Sequence, residues 1–254
     1  MNLKDNIWLW GQKTNGYLND GYNLPDGNKM DPLMGLEYFD IKNLCRVKLG
    51  SEANNPFMTD PWLGKPAERL CLSLIGAGDD MCDSMDEILE VAKTDPRVVA
   101  AVMDDFVSEE RVALYTPEKL AEFKQKLHNT VKQKIELWSV LYERDFGGNI
   151  PVDRAKVFDV TTFWTWYGQN LDNYAENFKH ICELIDGGRI MLGMYMYDFG
   201  NAKPLSKERA IAQIDFVEKM YAQKKIEGVV LCSNVIADIG LEAADIVRDW
   251  TRSL

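Results

Sequence analysis

The sequence predicts a single (β/α)8 barrel over residues 1–254, and three observations predict it. Short apolar runs typical of β-strands alternate with helical patterns along the whole chain, as in a parallel sheet with crossover helices. Eight such runs in about 250 residues match the size of a closed barrel. The turn after the first run, Trp10–Gly16, lacks the glycine fingerprint that usually marks a doubly wound open sheet, the main alternative.

The predicted strands are mostly continuous apolar runs, as expected for strands that are covered on both faces. In chain order they span Ile7–Gln12, Leu44–Leu49, Arg69–Ile75, Val98–Asp105, Ile135–Glu143, Val157–Trp166, Ile190–Asp198 and Gly228–Asn234.

Helical patterns separate these strands, and several carry terminal signals. Glu87 follows Ser84 at the spacing of a capping box, Pro117 occupies a first helical position, and Gly187 follows a helix end. Two irregular connections are predicted, at about residues 50–67 and 146–155, and no linker divides the chain into domains. The predicted helices span Pro32–Phe39, Ser84–Lys93, Thr116–Val131, Asn170–Ile185, Ser206–Lys225 and Leu241–Ser253.

Composition and charge exclude two classes of partner. The chain has 40 acidic and 29 basic residues and a net charge of −11, so it should repel a phosphate backbone, and no nucleic acid partner is expected. No apolar run is long enough to span a membrane. The first residues lack the apolar stretch of a signal peptide, so the expected location is cytoplasmic, or periplasmic or extracellular if a signal has been removed. The oligomeric state is left open.

Five cysteines are present, and no two of them form a CxxC pair. Cys45, Cys71 and Cys232 lie inside predicted strands, so they are expected to be buried free thiols. A disulfide framework is not expected in a chain of this length.

Carboxylates stand at the carboxyl ends of three predicted strands, where such barrels hold their active sites. Asp104 and Asp105 end strand four, Glu143 ends strand five and Asp198 ends strand seven. Carboxyl groups from separate strands can divide acid and base or nucleophile roles, because unequal environments separate their pKa values. Successive strand residues point to opposite faces, so one of the adjacent aspartates should face the lumen. Asp105 is the expected catalytic group, with Glu143 or Asp198 as its partner and Asp104 as an orienting group.

Large aromatic residues accompany these acids. Trp164 and Trp166 lie two residues apart, as do Tyr195 and Tyr197, and Trp10 lies at the end of the first strand. Aromatic rings pack against the apolar C–H faces of sugars, and the polar groups of Trp and Tyr need partners when buried. The sequence therefore predicts a sugar-stacking platform at the mouth of the barrel. Other strand-end residues complete the predicted substrate-binding set, with Gln12, Lys48 and Arg144 contacting hydroxyls or an acidic group, together with Tyr142 and Ser233.

Several chemistries are disfavoured. His128 and His180 are the only histidines, and both lie in predicted helices, so a histidine-ligated metal site and Ser-His-Asp or Cys-His catalysis are not expected. Neither a metal nor a cofactor is predicted, although an oxygen-ligated Mg²⁺ or Ca²⁺ held by Asp104, Asp105 and Glu143 stays open as an alternative.

Four segments resemble those of a group of poorly characterised bacterial barrel proteins related to glycoside hydrolases, and the similarity extends from Trp8 to the last helix. The resemblance implies a (β/α)8 barrel that acts on carbohydrate. Better-known retaining barrel hydrolases, which share only the architecture, typically carry glutamates after strands four and seven, where this chain has Asp105 and Asp198. The four segments are Val102–Phe106, Leu137–Tyr142, Phe163–Trp166 and Leu192–Asp198.

The leading hypothesis is a glycoside hydrolase, or a closely related carbohydrate-active enzyme, that acts on a small saccharide or glycan. The first alternative is a sugar lyase, epimerase or isomerase, with or without a divalent metal, that uses Tyr142, Tyr197 or Lys48 as a proton shuttle. The second is a carbohydrate-binding barrel without catalysis. Fold alone does not choose among them.

Overall fold

The computed structural model describes residues 2–17, 20–48, 55–76, 83–147 and 150–254. Within these residues eight parallel strands close into a barrel, which confirms the predicted (β/α)8 fold. Each strand pairs with its neighbour in the chain, and the last strand returns to pair with the first. The barrel strands are β1 Ile7–Gly11, β2 Asn43–Arg46, β3 Arg69–Ile75, β4 Val98–Met103, β5 Glu136–Tyr142, β6 Val160–Trp164, β7 Arg189–Tyr195 and β10 Gly228–Cys232. Between β7 and β10 in the chain, β8 Tyr197–Asp198 and β9 Lys203–Pro204 form a small antiparallel sheet.

Several strands end earlier than their apolar runs predict. β4 ends at Met103, and residues 104–107 form a turn in which Asp105 has a positive φ of 46°. The predicted run Ile190–Asp198 divides, because β7 ends at Tyr195 and Tyr197–Asp198 pairs with β9 instead. The acids that follow β4 therefore lie in a turn, where the alternation of strand faces no longer sets their direction.

The helices agree with most predicted ones and include two more, at Glu109–Leu114 and Val152–Ala155. Thr116 caps its helix by accepting a hydrogen bond from the Lys119 backbone N–H at 3.3 Å. The predicted capping box at Ser84 is wrong, because the Ser84 side chain makes no capping hydrogen bond and Glu87 pairs with Lys48. The helices are α1 Pro32–Phe39, α2 Met85–Thr94, α3 Glu109–Leu114, α4 Pro117–Asn129, α5 Val152–Ala155, α6 Tyr174–Ile185, α7 Lys207–Ala222 and α8 Glu242–Ser253.

Tryptophan pairs fill the barrel interior. Trp8 packs edge-on against Trp138 with ring centroids 5.0 Å apart, and Trp10 packs against Trp164 at 5.5 Å. Trp8 and Trp10 are two residues apart on β1, so both point into the lumen. Trp10 lies nearer the carboxyl-terminal end, where active sites of such barrels are found.

Three of the cysteines behave as predicted, since Cys45, Cys71 and Cys232 are buried and unpaired. Cys82 lies outside the described residues, as do Leu49 and parts of both predicted irregular connections. Among the helices described, none has the length and apolar character needed to cross a membrane.

Candidate active site

A pocket with a cavity volume of about 140 Å³ opens at the carboxyl-terminal ends of the barrel strands. An engineered protein cavity of about 150 Å³ holds benzene, so this pocket has room for about one six-membered ring. Nine of the predicted site residues line it: Trp10, Gln12, Asp104, Asp105, Tyr142, Arg144, Trp164, Trp166 and Tyr195. Five further lining residues were not predicted from the sequence: Tyr17, Tyr22, Val140, Phe199 and Cys232.

Both members of the aspartate pair line the pocket, whereas strand alternation predicted that only one would face it. The difference follows from the turn after β4 and from the left-handed backbone of Asp105. Arg111 holds this turn against β3 by donating to the backbone oxygens of Asp104, at 2.5 Å, and Gly76, at 2.7 Å. These contacts to backbone oxygens therefore hold the turn in a conformation in which both aspartates line the pocket.

The two carboxyl groups have different environments. Asp104 is buried, with 4% of the residue exposed, and Asp105 is partly exposed. Burial raises the pKa of Asp104 well above its ordinary value, and the neighbouring Asp105 raises it further, against the opposing effects of Arg111 and Arg144. The pocket thus holds a carboxyl group that favours its protonated form beside a second one that reaches solvent.

Aromatic rings form the walls of the pocket. Trp164 lies edge-on to Trp10 and has its ring centroid 4.9 Å from that of Tyr195. Trp166 stacks on Phe199 with centroids 5.7 Å apart and an interplanar angle of 24°. An aromatic cluster around Trp164 and Trp166 thus lines the pocket, and Phe199 from the turn after β8 extends it.

The connection between β1 and α1 contributes a further wall. Tyr17 lies edge-on to Phe199 at 5.2 Å, and its hydroxyl is 3.4 Å from the Cys232 Sγ. Tyr22 lies edge-on to Trp166 at 6.0 Å. The length of this connection is the one sequence feature that could have indicated Tyr17 and Tyr22 as pocket residues, because long loops after barrel strands are often functional.

Asn234, which follows β10, anchors the ends of the β1–α1 connection. Its side-chain oxygen accepts from the Gln12 backbone N–H at 2.9 Å, and its Nδ2 donates to the Gln12 and Met30 backbone oxygens, each at 2.8 Å. Asn234 is fully buried, so these hydrogen bonds are shielded from water. The wall that carries Tyr17 is therefore held by the end of the last strand.

The phenol groups of the pocket are proton donors at neutral pH. Burial raises the pKa of Tyr17, Tyr142 and Tyr195 well above the ordinary value, and Asp104 and Asp105 raise those of Tyr142 and Tyr195 further. Burial also raises the pKa of the Cys232 thiol to about 12. These groups can donate hydrogen bonds to a ligand, but they are poorly suited to act as bases.

Glu143 does not line the pocket, although the sequence places it at a strand end. Its Oε2 accepts from the Trp166 backbone N–H at 2.7 Å, and its Oε1 accepts from the Tyr167 N–H at 3.1 Å and Asn170 Nδ2 at 2.9 Å. The residue is buried, so these donors have replaced water around the carboxylate. Glu143 therefore shapes the loop that carries Trp166 rather than facing the pocket.

Glu143→Gln is expected to destabilise the protein by about 1–3 kcal/mol, because the amide NH₂ must face at least one of these N–H donors. The corresponding fall in Tm is about 2–12 °C for a domain of this size, measured by thermal unfolding. Glu110→Gln, an exposed substitution in α3, is the matched control and should leave Tm unchanged. If the Glu143→Gln protein instead keeps the wild-type Tm and loses all turnover, Glu143 takes part in the reaction rather than in stabilising the loop.

Asp198 is also a structural carboxylate rather than a lining residue. Its Oδ1 accepts from the Gly168 N–H at 2.9 Å and the Asn201 N–H at 3.2 Å, and the Asn201 side chain contacts both oxygens. A Cβ added at Gly168 would lie 2.6 Å from Asp198 Oδ2, so glycine is required there. Of the predicted partners Asp105, Glu143 and Asp198, only Asp105 lines the pocket, so the structure does not bring the predicted pair together there.

Three predicted substrate-binding residues lie away from the pocket. Lys48 pairs with Glu87 at 2.9 Å. Tyr197 donates its hydroxyl hydrogen to the Tyr22 backbone oxygen at 2.7 Å and so supports the β1–α1 connection. Ser233 is fully buried next to Cys232. Within the described ranges no three histidine, cysteine or acidic side chains are grouped to hold a metal ion, and the set of Asp104, Asp105 and Glu143 is not assembled.

Comparison with known proteins shows similarity in structure only, since no protein-family profile and no curated protein matches the chain. A family 18 chitinase from Crocus vernus is 10% identical, with 96% of this chain and 98% of that chain covered and a TM-score of 0.53. An uncharacterised Clostridium thermocellum protein that binds two copies of 5-methyl-5,6,7,8-tetrahydrofolic acid is 11% identical, with coverages of 98% and 95% and a TM-score of 0.55. The tryptophan synthase A-subunit of Pyrococcus furiosus is 13% identical, with coverages of 99% and 98% and a TM-score of 0.52. These likenesses establish the barrel fold, and function has to be argued from the pocket.

Proposed function

We propose that the protein is a glycoside hydrolase that holds one sugar ring in the aromatic pocket, with Asp104 as general acid and Asp105 as the second carboxylate. The observation that carries the proposal is the unequal pair, in which a buried Asp104 with a raised pKa adjoins a partly exposed Asp105. Carboxyl groups whose environments separate their pKa values are the usual acid and base of glycosidases.

The roles follow from these environments. Asp104 keeps its proton at a pH where an exposed aspartate has lost it, and it donates that proton to the leaving oxygen of the glycosidic bond. Asp105 reaches solvent and is placed to accept the proton of the attacking water, or to stabilise the positive charge that develops on the ring. The attacking water releases a proton, to Asp105 or to solvent, and this proton replaces the one that Asp104 gave to the leaving oxygen, so the pair returns to its starting state.

The walls of the pocket support a sugar as the ligand. Trp10, Trp164 and Trp166 line the pocket and supply apolar ring atoms for contact with sugar C–H groups, while the phenols of Tyr142 and Tyr195 can donate to hydroxyls. The cavity of about 140 Å³ is suited to one ring rather than to a long chain. We infer that the enzyme acts on a terminal sugar residue.

The same contacts disfavour the lyase, epimerase and isomerase alternatives. Those reactions need a base that removes a proton from carbon. Lys48 and Tyr197 are engaged elsewhere, and the raised pKa of Tyr142 makes it a poor base. A carbohydrate-binding barrel without catalysis stays as the second candidate, since the aromatic pocket would serve it equally.

Hydrolysis of a panel of 4-nitrophenyl glycosides tests the proposal. Asp105→Asn should lower turnover by about 10²–10⁴-fold while sugar binding and Tm are retained, and Glu110→Gln should match the wild type. Wild-type activity should fall as pH rises through the raised pKa of Asp104, because the general acid must hold its proton. Saturable sugar binding without any product would support the binding-protein candidate, and full activity in Asp105→Asn would refute the assignment of that residue.

A further inference from the structure

Arg144 lies at the entrance of the pocket and is held by two aromatic rings. Its guanidinium carbon is 4.4 Å from the ring centroids of both Tyr142 and Trp166. Its side chain is 35% exposed and lines the pocket together with the aspartate pair. Cation–π contacts with two rings restrict the orientation of the guanidinium group before a ligand arrives.

The hydrogen-bonding capacity of Arg144 is unused in the described part of the chain. Its ion-pair contact is with Asp145, and the 3.9 Å between Nε and Oδ1 is too long for a hydrogen bond. Arginine has five N–H donors in a planar fork that matches the two oxygens of a carboxylate. The Arg144 guanidinium group is held in position at the pocket entrance with its N–H donors free of hydrogen bonds to the described residues, so it is suited to bind an anionic group of the ligand.

Gln12 provides a second unsatisfied group in the same pocket. Gln12 is 1% exposed, and its Nε2 donates to the Tyr17 hydroxyl at 2.9 Å. Its Oε1 is buried and has no hydrogen-bond partner among the residues described. Buried acceptors are normally satisfied, and a ligand hydroxyl could satisfy this oxygen if the Gln12 side chain turned it toward the pocket that the residue lines.

We propose that the sugar bound in this pocket carries a carboxylate, as a uronic acid does, and that Arg144 binds this carboxylate while Gln12 Oε1 accepts from a hydroxyl. The inference rests on the proposed function only in taking the ligand to be a sugar. A single positive group suits a singly charged carboxylate. A phosphate would bring up to two negative charges beside Asp104 and Asp105, so it is disfavoured.

Binding measurements with matched sugars test the proposal without requiring turnover. D-glucuronate and D-glucose differ only in a carboxylate in place of a CH₂OH group, and D-galacturonate and D-galactose form a second such pair. Titration calorimetry or ligand-observed NMR should show that the wild type binds at least one uronate about tenfold or more tightly than its neutral partner, as expected for a charge-assisted contact.

Two variants assign this preference to Arg144. Arg144→Gln should remove the preference for the uronate, and any loss of affinity for the neutral sugar through the lost contacts with Tyr142 and Trp166 should be smaller than the loss for the uronate. Arg144→Lys should keep part of the preference, because it retains the charge but loses the fork. Arg252→Gln, which removes the same charge in α8, should behave as the wild type.

The outcomes separate this inference from the hydrolase proposal. A uronate preference that depends on Arg144, with no hydrolysis of any glycoside, would leave the inference intact and refute the hydrolase. Equal or tighter binding of the neutral sugars, or no uronate binding at millimolar concentration, would overturn the inference even if neutral glycosides were hydrolysed. A preference that survives in Arg144→Gln would overturn the assignment of the carboxylate to Arg144.

Discussion

Asp104→Asn is expected to lower the rate of hydrolysis by about 10²–10⁴-fold and yet to raise the free energy of unfolding near neutral pH. The pKa of Asp104 is raised in the folded protein by burial and by Asp105, whereas an unfolded aspartate ionises at about pH 3.9. The folded state therefore holds a proton that the unfolded chain releases. Wild-type stability should fall as pH rises from about 4 through the raised pKa, and asparagine, which has no charge to desolvate, removes that loss.

Thermal unfolding of both proteins as a function of pH checks this expectation. The Tm difference should be small near pH 4 and should exceed about 2 °C near pH 8, which corresponds to about 1 kcal/mol. Glu110→Gln removes an exposed carboxylate and should show little pH-dependent difference. If the Asp104→Asn protein is less stable than the wild type near pH 8, the pocket stabilises the ionised form of Asp104. That result would contradict the assignment of Asp104 as the general acid.

Gly193→Ala is expected to cost about 3 kcal/mol, at the upper end of the usual range for overpacking. A Cβ on β7 at this position would lie 1.9 Å from Trp164 Cδ2 and within 2.4 Å of two further ring atoms. The ring cannot withdraw easily, because it is buried, packs against Trp10 and donates from Nε1 to Thr162 Oγ1 at 2.8 Å. The fall in Tm should be about 6–12 °C, with a changed near-ultraviolet circular dichroism signal from the tryptophans.

Gly147→Ala is the matched control for this substitution. Apart from its chain neighbours, no heavy atom of the described residues lies within 4 Å of a Cβ added there, and the position is exposed, so Tm should change little. A Gly193→Ala protein with wild-type Tm and sugar affinity would show that Trp164 is not held as tightly as its contacts indicate.

The barrel could be predicted from the sequence because its strands are continuous apolar runs with helical patterns between them. The positions where strands end could not, because side-chain pattern does not encode where ladder hydrogen bonding stops. Residues 104 and 105 continue the run of β4 in sequence, yet Asp105 turns into the left-handed region. That local change brings to the pocket a pair that a regular strand would have divided between two faces.

The aromatic and acidic content of the site was predictable for the same reason, since strand ends of a barrel converge. The hydrogen-bond partners of each acidic side chain could not be predicted. Glu143 and Asp198 stand at strand ends as Asp104 does, but backbone N–H groups of the following loops satisfy their oxygens. These donors become neighbours only through loop conformation, as do Tyr17 and Tyr22, so no spacing in the sequence marks them.

The anchoring of the β1–α1 connection by Asn234 bears on when the protein becomes able to bind. Gln12 and Asn234 are 222 residues apart, and contacts of such large sequence separation close late, since loop entropy must be overcome first. A growing chain can complete the strand that leads to the aspartates long before it has made β10, yet the wall that carries Tyr17 would still lack its anchor. If the pocket binds sugar as proposed, the affinity for sugar would report whether the first and last strands have met.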